Sequence, residues 1–218
     1  MKAAALIPAY NEARPIGEIV RRTRAQVAEV LVVDDGSSDA TAQAARDAGA
    51  EVIVHARNEG KGAALKTGLR MLMERDVDCI VTLDGDGQHL PEEIGRFLAA
   101  AGTECAGIFV GNRMASPRGM PLLRWGTNRV LSRVISRFCG VRIPDTQCGF
   151  RLIRREVIPG LFCESNAYDY ETETLLRAAA AGVCIASVPV TTVYAGEKSK
   201  IRPLRDGWRL WKLLRRYR

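Results

Sequence analysis

Two carboxylates and an amide stand at alternate positions in Leu83-Asp84-Gly85-Asp86-Gly87-Gln88, directly after the apolar run Cys79-Ile80-Val81-Thr82-Leu83. That run reads as a buried strand. An Asp-x-Asp-x-Gln series at its end delivers three oxygen donors to the edge of a sheet, and the glycines between them let the backbone turn tightly. Hard cations such as Mg²⁺ take such oxygens, with water and substrate phosphates completing the coordination sphere. A purely structural reading also exists, an acidic loop leading into a helix that Pro91 would open. The chemical reading gains its weight from what stands at the other strand ends.

Three further polar loops follow apolar runs: Pro8-Ala9-Tyr10-Asn11-Glu12, Asp34-Asp35-Gly36-Ser37 and Asn58-Glu59-Gly60-Lys61-Gly62. The first lacks the Gly-x-Gly-x-x-Gly of a dinucleotide fold, and Lys61 lacks the following Ser or Thr of a P-loop. Asp34 and Asp35 end a strand, where a carboxylate can accept hydrogen bonds from a base or ribose. Ser38 or Asp39 can cap the next helix. The glycines around Lys61 permit close approach to a phosphate, or merely form a flexible turn.

The elements that must position these loops alternate along the first half of the chain. Strands are expected at Ala3–Ile7, Val30–Val33, Val52–Val54, Cys79–Leu83 and Ile108–Val110. Helices are expected from near Pro15, from Asp39 to before Gly49, over Gly62–Arg75, and over Pro91–Ala101 closed by Gly102. Such alternation means an α/β fold, a Rossmann-like, mostly parallel sheet with helices on both faces, with ligands bound beyond the carboxyl ends of its strands. Every polar motif above falls on that edge. After residue 112 the rhythm changes to a long helix over Arg124–Cys139, a short strand at Arg151–Ile153, a helix over Glu171–Ala181 and a strand over Ile185–Val193.

The 218 residues suffice for one well-buried domain. They are expected to divide into a main domain, 1–203, and a basic amphipathic helix, 204–218. No apolar run is long enough to span a bilayer, and the apolar stretch at the N-terminus is too short for a signal peptide. The six cysteines are scattered without Cys-x-x-Cys spacing, which points to small buried residues in a reducing compartment, with neither a zinc site nor a disulfide framework. Charge is uneven. Residues 121–218 hold 18 basic against 8 acidic side chains, whereas residues 1–120 hold 14 against 17. The second half therefore faces anions.

Taken in order, Ile7-Pro8-Ala9-Tyr10-Asn11-Glu12, Val33-Asp34-Asp35-Gly36-Ser37-Ser38-Asp39, Asn58-x-Gly60-Lys61-Gly62, Asp84-Gly85-Asp86-Gly87-Gln88 and Gly111-Asn112-Arg113 resemble the motifs of family 2 glycosyltransferases. Asp145-Thr146-Gln147-Cys148-Gly149-Phe150-Arg151 narrows the likeness to the branch of dolichyl-phosphate mannose and glucose synthases and their bacterial polyprenyl-phosphate relatives. The resemblance implies a GT-A fold, a nucleotide-diphospho-sugar donor such as GDP-mannose or UDP-glucose, and Mg²⁺ or Mn²⁺ as cofactor. It places Pro8, Tyr10, Glu12, Asp34, Asp35, Lys61 and Asp84 on the donor. Asp84, Asp86 and Gln88 become metal ligands, and Asp86, Glu171 and Glu173 the catalytic carboxylates. Glu171 and Glu173 have the plainer reading of acidic residues favoured at a helix N-terminus. His89, beside the metal loop, is expected outside the ligand set.

Arg113, Arg124, Lys198 and Lys200 are the candidates to grip an acceptor phosphate, since Arg offers a planar fork and Lys a point charge. Glu197-Lys198-Ser199-Lys200 resembles a loop that closes over the site, with Gly196 as hinge. At the C-terminus, Trp208, Trp211 and Leu214, and Leu210, Leu213 and Tyr217, share helical spacing among Arg205, Arg209, Lys212, Arg215 and Arg216. This suits either an interfacial helix on an anionic membrane surface or a terminal helix packed on the domain.

These observations converge on an inverting, metal-dependent glycosyltransferase that moves mannose or glucose to a polyprenyl phosphate. It would sit in the cytoplasm at the periphery of the membrane, with a membrane protein as a further possible partner. Transfer to a glycan or soluble hydroxyl, and a non-catalytic nucleotide-sugar-binding subunit, are the alternatives. No nucleic-acid-binding module is present, and nucleic acid is not expected as a partner.

Overall fold

The computed structural model describes residues 1–115, 117, 119–167, 169–191, 193 and 210–217. Seven strands form one sheet: β1 (Ala3–Ala9), β2 (Glu29–Asp34), β3 (Glu51–Val54), β4 (Cys79–Thr82), β5 (Ile108–Asn112), β6 (Arg151–Arg154) and β7 (Ile185–Pro189). Within residues 1–191, six α-helices are described: α1 (Ile16–Arg24), α2 (Thr41–Asp47), α3 (Lys61–Met73), α4 (Ile94–Thr103), α5 (Leu122–Cys139) and α6 (Asp169–Ala180). The spatial order is β3-β2-β1-β4-β6-β5-β7. All neighbours pair in parallel except β6, which runs antiparallel to β4 and β5.

Covered on both faces, the central strands are continuous apolar runs rather than alternating ones. Ala4–Ile7, Leu31–Val33 and the whole of β4 are buried and form the core with Phe97, Phe109 and Phe150. β1, β2 and β4 run in the same direction, so the loops after Ala9, Asp34 and Thr82 emerge on one edge. The reversed β6 begins at that same edge, with Arg151 opposite Thr82 and Val110. Its preceding segment, Asp145–Phe150, is thereby brought to the ends of β4 and β5.

Several boundaries differ from expectation. The second helix starts at Thr41, and Asp39 caps it from two residues upstream by accepting the Thr41 N–H at 3.0 Å. α4 runs through Gly102 to Thr103, and α5 begins at Leu122. β7 stops at Pro189, where the chain leaves the sheet. Thr191 N then donates to Glu93 Oε2 at 2.9 Å and Val193 N to the Gln88 carbonyl at 3.1 Å.

Residues 210–214 are helical and Arg215–Tyr217 continue as a 3-10 turn. Leu213 is buried, Tyr217 OH donates to Glu173 Oε1 at 3.2 Å, and Trp211 faces outward under the Arg215 guanidinium. Of the two stripes read from the sequence, the one through Leu213 and Tyr217 meets the domain. Trp208, Arg205 and Arg209 lie outside the described residues.

Candidate active site

Lys61 opens α3 and is the hub of the strand-end cluster. Its Nζ lies 2.6 Å from Asp84 Oδ1 and 2.9 Å from Glu171 Oε2. All three side chains are largely shielded from solvent. Burial by itself would push the Lys61 ammonium toward neutrality, but the two carboxylates outweigh it and hold its pKa above the usual lysine range. Burial likewise opposes ionisation of Asp84, and the Lys61 ammonium and His89 outweigh it, leaving the carboxyl well below its usual range. Lys61 and Asp84 are charged at neutral pH.

Gly149 makes this approach possible. A Cβ there would stand 2.8 Å from Asp84 Oδ2 and 2.9 Å from Lys61 Nζ, so the motif before β6 needs a residue without a side chain. Gly60, at φ +103°, also meets a packing need. A Cβ on it would meet the Asn166 carbonyl at 2.3 Å, so the glycine lets α3 dock against the segment leading into α6.

His89 is buried behind the Asp-x-Asp turn. Its Nε2 is 3.5 Å from Asp84 Oδ2, its ring tilts against Phe150, and its Nδ1 has no hydrogen-bond partner among the described residues. Apolar packing on one side and a carboxylate on the other make it a buttress for Asp84. Adjacency to the Asp-x-Asp run was the one signal for it in the sequence.

On the Asp-x-Asp turn, Asp86 Oδ1 accepts the Gln88 N–H at 3.0 Å, which folds the turn back on itself. Gln88 Oε1 lies 3.4 Å from Arg124 Nη2, so the third residue of α5 reaches the turn. Among the described residues no three His, Cys, Asp or Glu side chains converge into a metal cage. Two carboxylates and an amide oxygen are a hard donor set that suits Mg²⁺ or Mn²⁺ brought in with a substrate diphosphate, which supplies the remaining oxygens.

The loops expected to hold the donor are stitched together. Pro8 is buried within β1, Tyr10 is exposed beside it, and Glu12 N donates to Thr41 Oγ1 at 2.8 Å. Asp34 and Asp35 are buried, and their carboxylates have protein donors rather than facing open space. Asp34 Oδ1 accepts the Ser37 N–H at 3.0 Å and the Ser37 hydroxyl. Asp35 accepts the Glu59 N–H at 3.0 Å, the Gly60 N–H at 2.8 Å and His55 Nδ1 at 2.8 Å. Asp35 therefore shapes the turn that launches Lys61. His55, which also meets Thr67 Oγ1 at 3.0 Å, is a member of this network that carried no signal in the sequence.

The groups expected to grip an acceptor phosphate separate. Arg113 is buried and grips Asp145 through two bonds, Nε to Oδ2 at 2.6 Å and Nη2 to Oδ1 at 2.9 Å. The acidic residue of the Asp-Thr-Gln-Cys-Gly-Phe motif thus fixes the loop after β5. Arg151 is another buried pin, donating to the carbonyls of Cys148, Thr146 and Glu171. Only Arg124 of the described acceptor candidates touches the Asp-x-Asp turn. Lys198 and Lys200, with the Glu197–Lys200 loop and Gly196, lie outside the described residues.

Glu171 and Glu173 part as helix geometry requires, since positions two apart on a helix face different sides. Glu171 meets Lys61, whereas Glu173 is buried against Tyr217, with its Oε2 unpartnered among the described residues. The pair therefore does not act as one site. The cysteines also divide. Cys79 and Cys148 are buried, but Cys105 and Cys184 are exposed, contrary to a uniformly buried set.

Comparison with known proteins places the chain in a family. The profile of glycosyl transferase family 2 matches residues 4–162. An undecaprenyl-phosphate mannosyltransferase of Micrococcus luteus is 32% identical over 208 residues, covering 88% of this chain and 84% of that protein. A UDP-N-acetylglucosamine–dolichyl-phosphate N-acetylglucosaminyltransferase of Methanococcus voltae is 30% identical over 212 residues, covering 87% and 84%. The crystal structure of glucosyl-3-phosphoglycerate synthase from Mycobacterium tuberculosis with Mn²⁺, UDP and phosphoglyceric acid superposes with a TM-score of 0.76 at 19% identity, covering 99% of this chain and 78% of that one. The fold is GT-A, and the chain is a glycosyltransferase belonging to glycosyl transferase family 2, on the polyprenyl-phosphate side of that family.

Proposed function

We propose that this enzyme transfers a hexose, mannose or glucose, from a nucleoside-diphosphate sugar to a polyprenyl phosphate at the cytoplasmic face of a membrane, with inversion at the anomeric carbon. The observation that carries the reading is the buried contact of Lys61 with Asp84 and Glu171 at the Asp-x-Asp turn. Asp84, Asp86 and Gln88 would hold Mg²⁺ or Mn²⁺. When bound, the cation neutralises the charge that develops on the departing nucleoside diphosphate.

The residues of the chain divide the remaining work. Lys61 keeps Asp84 ionised and oriented, and Glu171 holds Lys61 from the far side. Tyr10 and Glu12, beside the end of β1, border the space for the nucleoside. Arg124 offers its guanidinium to the acceptor phosphate next to Gln88. A phosphate acceptor is anionic at neutral pH and attacks without a general base, which leaves Glu171 free to serve as a positioning residue. One direct displacement by the phosphate oxygen inverts the sugar.

The test is a donor and acceptor screen by mass spectrometry, with Mg²⁺ or Mn²⁺, GDP-mannose, UDP-glucose or UDP-N-acetylglucosamine, and a short polyprenyl phosphate. A single lipid-linked hexose product is the expected outcome. Transfer to a hydroxyl acceptor in its place would overturn the acceptor. A protein inert toward every donor would be read as a binding subunit.

A further inference from the structure

α5 wears its amphipathicity inside out. Against the domain it buries Asn128, Ser132 and Ile135, a largely polar stripe. Five of its apolar residues face outward: Leu122 is 86% exposed, Leu123 84% and Val130 58%, with Val134 and Phe138 exposed further along. A surface helix ordinarily buries its apolar stripe and shows its polar one. Beside the outward stripe, Arg129, Arg133 and Arg137 recur at every fourth position, and the helix contains no Asp or Glu.

We infer that the outer face of α5 is a docking surface for an anionic bilayer. Apolar side chains flanked by a basic row suit a helix lying in the headgroup region of such a membrane. Charge decides the occupant. A second copy of α5 would set arginine against arginine, whereas an anionic lipid surface supplies the missing negative charge. The position is continuous with the site, because Arg124 of the same helix reaches Gln88 on the Asp-x-Asp turn. The most exposed leucines stand at that end of the helix. The inference rests on the lipid-phosphate reading in one respect, that α5 brings the turn to the depth at which such a phosphate lies.

Vesicle flotation of the full chain tests it, using phosphatidylcholine vesicles with and without phosphatidylglycerol. Two exposed-face variants are compared with wild type, L122S/L123S/V130S and R129Q/R133Q/R137Q. Wild type is expected to float with the anionic vesicles and not with the neutral ones, and each variant to lose about tenfold or more in partitioning. Variants that partition like wild type would overturn the proposal. So would a wild type that ignores vesicles and dimerises through the same residues. Transfer to a short, water-soluble polyprenyl phosphate is measured alongside. Unchanged turnover there, with a loss only on vesicle-embedded acceptor, supports the surface. Vesicle binding that depends on α5, without transfer to any polyprenyl phosphate, would sink the acceptor assignment and leave the docking surface standing.

Discussion

Asp84 and Lys61 form a 2.6 Å ion pair between the end of β4 and the start of α3. Partners so shielded from water are costly to separate, because the survivor is left as an uncompensated charge. Lys61→Ala strands Asp84 and Glu171 together. The expected result is a loss of about 3–5 kcal/mol of stability by urea unfolding and a fall of about 100-fold or more in kcat. Lys61→Arg should recover part of the stability. Wild-type turnover in Lys61→Ala would remove this cluster from the mechanism.

The same pair sets an expectation for pH. The Asp84 carboxyl is held low, so its contribution to stability is complete above the ordinary carboxylate pKa of about 3.9 and is lost only as pH falls through the lowered value. The Lys61 pKa is raised, so its contribution is complete below the ordinary lysine value of about 10.4 and is lost only as pH rises through the raised one. Between about pH 5 and 9 neither group titrates, so any limb in kcat/KM within that window comes from other groups. A limb there that shifts in Lys61→Arg would contradict this.

Asp86 is the second carboxylate of the turn, and its Oδ1 accepts the Gln88 N–H. Asp86→Ala is expected to abolish transfer while moving Tm by only a few degrees. Chelation with EDTA should stop the wild-type enzyme, and added Mg²⁺ or Mn²⁺ should restore it. Full activity in EDTA would dismiss the cation.

Arg113 and Asp145 are expected to matter through structure. Asp145→Ala leaves a buried guanidinium without its bidentate partner, and a loss of about 3–5 kcal/mol in urea unfolding follows. Were Arg113 instead an acceptor-phosphate ligand in the folded enzyme, Asp145→Ala would free it and lower KM for the acceptor without that loss.

Thiol labelling checks the packing. Burial pushes the Cys148 thiol up to about 12 and the Cys79 thiol up to about 11. At pH 8 both should resist an alkylating reagent until the protein unfolds, while exposed Cys105 and Cys184 react at once. Rapid labelling of Cys148 in the native protein would contradict the placement of the motif before β6.

Much of this architecture was legible in the sequence because it rests on local signals. Apolar runs bounded by Gly, Pro and Asp marked each strand, and the four polar loops fell at strand ends as parallel topology demands. The direction of β6 was not legible, since Arg151–Arg154 reads the same whichever way its neighbours run. Roles at the site were harder for a related reason. Asp35 and Arg113 have side chains suited to a ligand, but their partners, His55 with the Gly60 turn and Asp145, are distant in the chain. Glu171 and Glu173 looked like a pair by spacing, and the helix turned them apart. Gly149 carried no chemistry of its own, yet its missing side chain lets Asp84 and Lys61 sit where they do.

The reversal of β6 also has a consequence for how the molecule comes into being. β3, β2, β1 and β4 are neighbours in space and arise from consecutive sequence, so that half of the sheet can assemble as it is synthesised. β5 then has no hydrogen-bonding partner in that half, because its ladders run only to β6 and β7. Until Arg151–Arg154 emerge from the ribosome, β4 presents a bare apolar edge, the kind of edge on which chains aggregate. The same four residues that carry the Asp145–Phe150 motif to the catalytic edge close this gap, so covering the edge of β4 and delivering that motif to the site are a single event in the folding of this enzyme.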